Sequence, residues 1–325
     1  MRGVDLNTFR FNYDLTMAVI LMHPNGTVYA RYAGRDFRDA SSHQSTTSLA
    51  RVLDDVRQTH RRDLPAPERK PAITVEQLPH WSNHRKAQAA KCFHCHQVHD
   101  AYQREGILRN RWSKRDQFNW PDTSQVGLRF DREKQVVVAE AEDSTGLRRG
   151  DRIVSINGIP AIAYGDIKFA LNEAPWDANK LRIRYVRGSS RTQSTTIALK
   201  SGWKIPTPEV YAWRPMKWAM SPKPGFGGRP LTAEQKRALK LPEKDWAFRV
   251  GYLVTWGPSA NTGRAAAKAG IRKGTIVYAV DGKSDFKGMD HFHAWFRMTR
   301  ALGVPVKVSV IQNGTRKTVE LTPVG

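Results

Sequence analysis

The sequence predicts a multidomain α+β protein built from several small modules. Its 325 residues suffice for two or three ordinary domains. A hydrophobic fraction of 40% and ten tryptophans are typical of folded chains rather than disordered ones. A strand–turn–strand–helix pattern opens the chain, and one glycine-rich pattern with strands and a helix occurs twice in the second half. Together these observations favour modules joined in series.

The first segment predicts a β-hairpin followed by a helix. Residues 17–22 form an apolar run, Asn25 followed by Gly26 is a strong signal for a tight turn, and residues 28–32 alternate as a second strand. Residues 47–58 then predict an amphipathic helix. Its apolar face contains Leu49, Val52, Leu53 and Val56.

The most specific motif is Cys92-Phe93-His94-Cys95-His96. C-x-x-C-H is the attachment signature of a c-type haem, in which two thiols one helical turn apart bind the vinyl groups and the next histidine ligates the iron. These two cysteines are the only ones in the chain, so no structural disulfide competes for them. The motif, which resembles the attachment site of cytochromes c, therefore predicts haem c held by Cys92, Cys95 and His96.

Two other interpretations of the cysteine pair stay open. A C-x-x-C pair also forms redox dithiols, and with nearby histidines it forms zinc sites. The zinc version would use both cysteines with His84 and either His96 or His99. If haem is bound, His80 and His84 are the best-placed metal ligands for the second axial position, because His99 lies on the same side as His96.

The net charge of +23 does not by itself predict nucleic-acid binding. The basic residues are spread along the whole chain, with no long basic tract, zinc-finger spacing or RNA-binding aromatic signature. The tryptophans between residues 202 and 222 are interleaved with Lys and Pro, and packing of a linker is the commoner use of such residues. A solvated basic surface is therefore the favoured interpretation, and no apolar run is long enough to cross a bilayer.

Residues 123–201 resemble a PDZ domain. Gly127-Leu128-Arg129-Phe130 stands where that family has its carboxylate-binding loop, and residues 135–140 follow as a strand. The stretch from Gly146 to Ile153 and the Asn157-Gly158 pair match the family's core pattern. The resemblance implies that backbone N–H groups capture the end of a peptide, which adds a strand to the sheet edge. Arg129 departs from the family pattern and is a candidate for extra charge at the carboxylate.

Residues 223–325 resemble a second PDZ domain, of the form attached to periplasmic heat-shock proteases. Gly225-Phe226-Gly227-Gly228 is expected at the carboxylate loop, residues 248–255 as the next strand, and residues 291–302 as the helix beside the peptide groove. The predicted organisation comprises the first segment with its hairpin and helix, a linker with a short helical haem-attachment segment, PDZ domain 1, a linker, and PDZ domain 2. Their bounds are 1–64, 65–122, 123–201, 202–222 and 223–325.

The hairpin and helix of the first segment resemble the carboxy-terminal half of a thioredoxin fold, with Thr16 where that fold has a cis-proline. This order of segments resembles a bacterial family of thioredoxin–PDZ (seleno)proteins. We expect the natural chain to start upstream of Met1, since an in-frame UGA for selenocysteine can be mistaken for a stop. The upstream part would supply the missing half-fold, the thiol active site and a signal sequence.

These features predict an extracytoplasmic, periplasmic redox or electron-transfer protein with peptide-docking modules. A thiol or haem oxidoreductase activity is compatible with the chain, whereas a protease is not, because neither a G-x-S-G-type nucleophile nor H-E-x-x-H is present. The expected partners are proteins or peptides bound through the PDZ domains. The competing hypothesis is a non-catalytic PDZ scaffold with a structural zinc site.

Overall fold

The computed structural model of the chain describes residues 2–68, 70–78 and 94–325. The chain forms two compact units, residues 1–206 and 207–325. The first unit gathers the three predicted segments up to residue 201, and the second contains the predicted segment 223–325. Both units combine helices with antiparallel sheets, which confirms a multidomain protein of mixed α and β structure.

The first unit contains the predicted hairpin and helix. Strand β1 (Val19–Met22) pairs antiparallel with β2 (Val28–Tyr32). Helix α1 (Thr46–Thr59) begins after Ser45, whose Oγ accepts a hydrogen bond from the Ser48 N–H. This cap satisfies one of the free N–H groups of the first turn. The hairpin and the helix are thereby confirmed as predicted.

Strand β2 is packed against two helices. Ala30 and Tyr32 form a buried cluster with Val52 of α1 and with Ala163, which precedes helix α3 (Tyr164–Glu173). Arg31, between them on the strand, contacts α3 instead: its backbone N–H and its guanidinium both reach the Asp166 carboxylate. The hairpin is therefore covered by a helix from the predicted PDZ segment.

Helix α2 (Cys95–Leu108) carries the second half of the C-x-x-C-H motif. Val98 on its inner face packs with Leu6, Phe11, Tyr13 and Val75. The proline-free stretch 85–109 predicted a helix, and the part of it that the structure describes is helical from Cys95 onward.

Module 1 (residues 123–201) contains a strand pair and a four-stranded sheet. Strand β3 (Leu128–Phe130) pairs with β4 (Val138–Ala141), and the second sheet has the order β6-β5-β7-β8. An isolated bridge between Val137 and Arg152 connects the two sheets. The other strands are β5 (Arg152–Ile156), β6 (Ile159–Pro160), β7 (Lys180–Val186) and β8 (Gln193–Ala198).

Strand β4 begins later than the predicted range 135–140. Gln135 has φ +54°, in the left-handed region, and the Asp131 carboxylate accepts hydrogen bonds from the N–H groups of Glu133 and Lys134. Asp in this position stabilises a turn by bonding to the backbone two residues on. The turn after β3 therefore extends through Gln135 and delays the strand.

Module 2 (residues 223–325) is a five-stranded antiparallel sheet in the order β13-β12-β11-β10-β9, with helices packed on it. Its helix α7 (Met289–Thr299) starts and ends slightly before the predicted 291–302. Phe292 and Phe296 of α7 are fully buried with Phe226 and Phe248 of the sheet. A short helix α4 (Pro208–Tyr211) precedes the module. The other elements of the module are β9 (Phe226–Pro230), α5 (Ala233–Ala238), β10 (Phe248–Leu253), α6 (Ala260–Lys268), β11 (Ile276–Val280), β12 (Val306–Gln312) and β13 (Thr315–Leu321).

The two modules repeat one strand order. In module 1 the bridge between Val137 and Arg152 gives the succession β3-β4-β5-β7-β8, and module 2 has the corresponding succession β9 to β13. In each, a helix lies between the third long strand and the last two. The repeat seen in the sequence is therefore a repeat of topology. Across the parts of the chain that the structure describes, no helix combines the length and the apolarity needed to span a bilayer.

Candidate functional site

The described half of the C-x-x-C-H motif lies at the amino-terminal end of α2. Cys95 is the first residue of the helix and His96 the second. Cys95 is half-buried against the cluster of Leu6, Phe11 and Tyr13, whereas His96 is exposed. Cys92, His80 and His84 lie outside the described residues.

The His96 imidazole is available for a ligand. Its ring stacks on that of His94 with centroids 5.8 Å apart and planes inclined by 10°. Among the described residues none forms a hydrogen bond with its side chain. The imidazole group is a usual axial ligand of haem iron and also a common zinc ligand. The residues present therefore fit a metal-ligating role for His96.

His99 is placed differently from His96. It is buried, its ring meets that of Tyr13 edge-to-face at 5.4 Å, and its Nε2 is 4.0 Å from Asp14 Oδ1. Burial raises the pKa of Tyr13 well above its usual value, so this phenol stays neutral. Within the described ranges, no three His, Cys, Asp or Glu side chains converge as a metal site. His96 and His99 are not brought together around one point.

A large cleft borders α2. Its volume is about 1110 Å³, and His99 and Tyr102 of α2 line it together with Arg10, Arg31 and Phe169. Small-molecule sites usually occupy roughly 300–1,000 Å³. Arg10 is paired with Glu173 at 2.5 Å, and the Arg31 guanidinium lies 3.7 Å from the Phe169 ring centroid. The cleft thus combines aromatic walls with several charges, among them the paired Arg10 and Glu173.

In module 1 the predicted peptide-binding residues form an edge strand. Gly127 has φ +71°, and a Cβ there would crowd the Glu142 side chain, so glycine suits this turn into β3. The Gly127 carbonyl accepts from Glu142 N–H and the Asp131 N–H donates to Val137, so these groups face β4. The backbone N–H and C=O groups of Leu128 and Phe130 face the opposite edge of β3. No further described strand pairs with that edge.

Arg129 is engaged within the strand pair. Its Nη1 lies 2.6 Å from Glu140 Oε2 on the neighbouring strand β4. A partly exposed cross-strand pair of this kind contributes little stability, but it neutralises the local charge. The role of Arg129 as an extra charge for a peptide carboxylate stays a prediction. In that role a peptide carboxylate would have to compete with Glu140 for the Arg129 guanidinium.

Residues 31–45 pack against the start of α3. Tyr164, the first residue of α3, meets Phe130 of β3 edge-to-face at 5.9 Å. The His43 imidazole stacks on the Tyr164 ring, with centroids 3.6 Å apart. The His43 carbonyl also accepts a hydrogen bond from Gln135 Nε2, and the Gln44 carbonyl accepts one from Arg132. The residues just before α1 therefore contact both the start of α3 and the turn that follows β3.

In module 2 the predicted loop residues enter a second edge strand. Gly225 has φ +81°, and a Cβ there would lie 2.1 Å from the Thr262 carbonyl oxygen, so a larger residue would clash. Phe226, Gly227 and Gly228 belong to β9, which is the outer strand of the sheet. The predicted loop is thus mostly strand, with only Gly225 preceding it.

Helix α7 beside β9 is covered on its outer side by residues 215–219. Trp218 lies 4.9 Å from the His293 ring centroid, and the Arg297 guanidinium lies 4.9 Å from that of Trp218. Lys217, itself buried, forms an ion pair with Asp290 at 3.1 Å. Burial lowers the pKa of His293 well below its usual value, and the nearby charges of Arg297 and Lys217 add to the effect.

Sequence reasoning missed His43, His293 and Arg297 as members of these sites. Each is a polar residue that is at least nine-tenths buried, and a single sequence does not distinguish it from an exposed one. Trp218 lies in the tryptophan-containing linker and contacts His293 and Arg297 of module 2. Trp203 belongs to the core of module 1.

Comparisons with known proteins find similarity only among solved structures. No protein-family model matches the chain, and no curated protein matches it either. Among solved structures, the HtrA-type protease AlgW with a decapeptide is similar in a serine-to-alanine variant (TM-score 0.27, 17% identity, covering 44% of this chain and 40% of that chain). Another AlgW structure with a decapeptide has a TM-score of 0.25 and 13% identity, covering 44% and 49% of the two chains. Likeness at this level assigns neither fold nor activity.

Proposed function

We propose that this chain is an extracytoplasmic electron-transfer protein. In this proposal Cys92 and Cys95 hold a covalent c-type haem, His96 ligates its iron, and two PDZ modules dock the ends of partner proteins. The observation that carries the proposal is the pairing of Cys95 and His96 at the start of α2, with the thiol half-buried and the imidazole exposed. A c-type attachment site needs those two groups adjacent and unengaged.

The bound haem would supply one-electron transfer. The chain would supply the rest: Cys95, which packs against Leu6, Phe11 and Tyr13, would hold the group covalently, and the exposed His96 imidazole would supply an iron ligand. The cleft of about 1110 Å³ lies beside the same helix, where His99 and Tyr102 line it. Aromatic surroundings exclude water and thereby tune a redox centre.

The docking part of the proposal rests on the edge strands β3 and β9. Each is the outer strand of its module and lies next to a helix, α3 or α7, as strand addition by a peptide requires. Covalent haem attachment normally takes place outside the cytoplasm, so the proposed location is the periplasm.

The proposal is tested by expressing the chain with an added export signal in a host that has a c-type maturation system. A pyridine haemochrome spectrum of the purified protein should show covalent haem, and Cys92→Ala and Cys95→Ala should each lower its yield. His99→Ala is the matched control and should keep covalent haem, because the His99 ring is buried against Tyr13. Protein that acquires no haem and retains one zinc per chain would support the zinc scaffold instead.

A further inference from the structure

A row of three cations lies on the outer face of the module 1 sheet. Lys180, Arg182 and Arg184 alternate along β7 with buried residues, so their side chains leave the strand on the face opposite the core. Neighbours in the row are roughly 7 Å apart, because two residues of an antiparallel strand advance the chain by about that distance. All three side chains are exposed.

No carboxylate neutralises this row. The residues opposite the three cations on β8 are Ala198, Thr196 and Ser194, in the same order. Among the residues that the structure describes, no acidic side chain forms an ion pair with the row, whereas Arg187, just past the end of β7, is paired with Asp151 at 2.8 Å. Because like charges side by side repel one another, the row adds repulsion to the folded module without a compensating ion pair.

The corresponding strands of module 2 carry no such row. On β12 the exposed Lys307 lies opposite Glu320 of β13. The next two positions on that face of β12 are the uncharged Ser309 and Ile311. The topology that the two modules share therefore does not require the three cations of β7.

The row does not protect a sheet edge either. Charged side chains on an edge strand discourage pairing with the edge of another sheet. In module 1 the edge strand is β8, and its six residues carry no charge. The cations lie on the inner neighbour of that strand, so edge protection does not explain them.

We propose that this face, defined by Lys180, Arg182 and Arg184, binds bilayer surfaces rich in anionic phospholipid. The phosphates of such a surface form a plane of negative charge, and a sheet face with cations in a row contacts several of them at once. Single-stranded nucleic acid fits this face less well, because its sites add aromatic side chains that stack on the bases, and the outward positions of β7 and β8 have none. The inference does not depend on the haem proposal.

The test is co-sedimentation of the full chain with unilamellar vesicles. One set of vesicles contains phosphatidylcholine alone, and in a second set part of it is replaced by phosphatidylglycerol. The wild type should bind the second set and leave the first unbound. Higher salt should release the bound protein, because ions screen the attraction between the row and the lipid phosphates.

The combined substitutions Lys180→Gln, Arg182→Gln and Arg184→Gln should weaken binding to the phosphatidylglycerol vesicles about 100-fold. Each basic residue at an anionic surface contributes about fivefold to the partition coefficient. If circular dichroism shows this triple variant unfolded, Arg182→Gln alone decides. That variant should lose about fivefold, and undiminished binding would overturn the inference.

A matched control separates this row from the general charge of a basic chain. Lys307→Gln, Arg264→Gln and Arg272→Gln together remove the same charge from exposed positions of module 2 and should weaken binding about threefold or less. Equal losses in the two triple variants would overturn the inference, as would a wild type that binds both vesicle sets equally or neither. A single-stranded DNA oligonucleotide that binds the wild type more tightly than the vesicles do, and is released by the β7 triple variant, would assign the face to nucleic acid instead.

Discussion

The imidazole of His43 stacks on the phenol ring of Tyr164, with centroids 3.6 Å apart and planes inclined by only 12°. Tyr164 begins α3 of module 1, whereas His43 precedes α1 by a few residues. Both rings are buried. This contact packs the segment before α1 against the start of α3 in module 1.

Removal of the His43 ring should destabilise the first unit. Aromatic pairs contribute about 0.5–1.5 kcal/mol beyond the area that they bury, and the deletion also leaves a cavity, so His43→Ala should lower the free energy of unfolding by about 2–3 kcal/mol. Urea unfolding followed by circular dichroism measures the change. His60→Ala is the control: His60 is exposed and makes one hydrogen bond to Tyr29, so its loss should cost about 1 kcal/mol or less. Equal effects of the two substitutions would refute the stacking account.

Stability should fall in acid because of His43. Burial is the main reason that its pKa is lowered, from the usual 6.5 to about 4. Between these values the unfolded chain binds a proton that the folded chain does not, so stability is full above pH 6.5 and is lost as the pH falls toward 4. From pH 7 to pH 5 the loss attributable to His43 should be about 2 kcal/mol.

The pH prediction is checked as a difference between two proteins. His43→Phe keeps a ring on Tyr164 and removes the titration, so its stability should change less between pH 7 and pH 5 than that of the wild type. Asp36, Lys168, Asp122 and Asp131 also act on the charge of His43, and all four are present in both proteins. An identical pH response in the two proteins would show that His43 is not the responsible group.

Asp166 should be essential for holding the hairpin on α3. Its carboxylate accepts hydrogen bonds from the N–H groups of Ala163, Ile162 and Arg31 and lies 3.3 Å from the Arg31 guanidinium. Asp166→Ala leaves Arg31 and three donors without this acceptor in a buried site, which should cost about 3–5 kcal/mol. Asp143→Ala, at an exposed position of the same module, should change the melting temperature little. A small effect of Asp166→Ala in thermal unfolding would contradict the packing described.

Gly225 should not tolerate a side chain. A Cβ at this position would clash with the Thr262 carbonyl in addition to the strain of φ +81°, so Gly225→Ala should destabilise module 2 by about 3 kcal/mol or more. Gly274→Ala is a matched control with φ +90° and open space around the new methyl group. It should show the backbone strain alone, about 1–2 kcal/mol. Differential scanning calorimetry of both variants measures the gap, and its absence would mean that Gly225 is not closely packed.

Local sequence patterns predicted much of the fold, but they did not predict contacts between residues far apart in the sequence. The Asn25-Gly26 turn and the spacing of Leu49, Val52 and Val56 fixed the hairpin and α1, because both signals depend on neighbours in the sequence. The glycine-rich repeat likewise predicted one topology twice. The β4 boundary was misplaced because the turn chemistry of Asp131 extends to Gln135.

The candidate sites were predictable only where a motif defines them. C-x-x-C-H marks Cys95 and His96 by spacing alone, and the structure describes just that half of the motif. The contacts of His43 with Tyr164 and of Arg297 with Trp218 join residues far apart in the sequence. No periodic pattern encodes such pairs, since burial of a polar side chain depends on how whole elements pack.

Mass spectrometry of the attachment peptide tests the central claim most directly. The chain, exported in a host with c-type maturation, would be treated with a thiol-alkylating reagent under denaturing conditions and digested with trypsin, which cuts after Lys91 and Arg104. The account predicts that peptide 92–104 carries the mass of haem and no alkyl group. A peptide 92–104 with both Cys92 and Cys95 alkylated and no haem would contradict it.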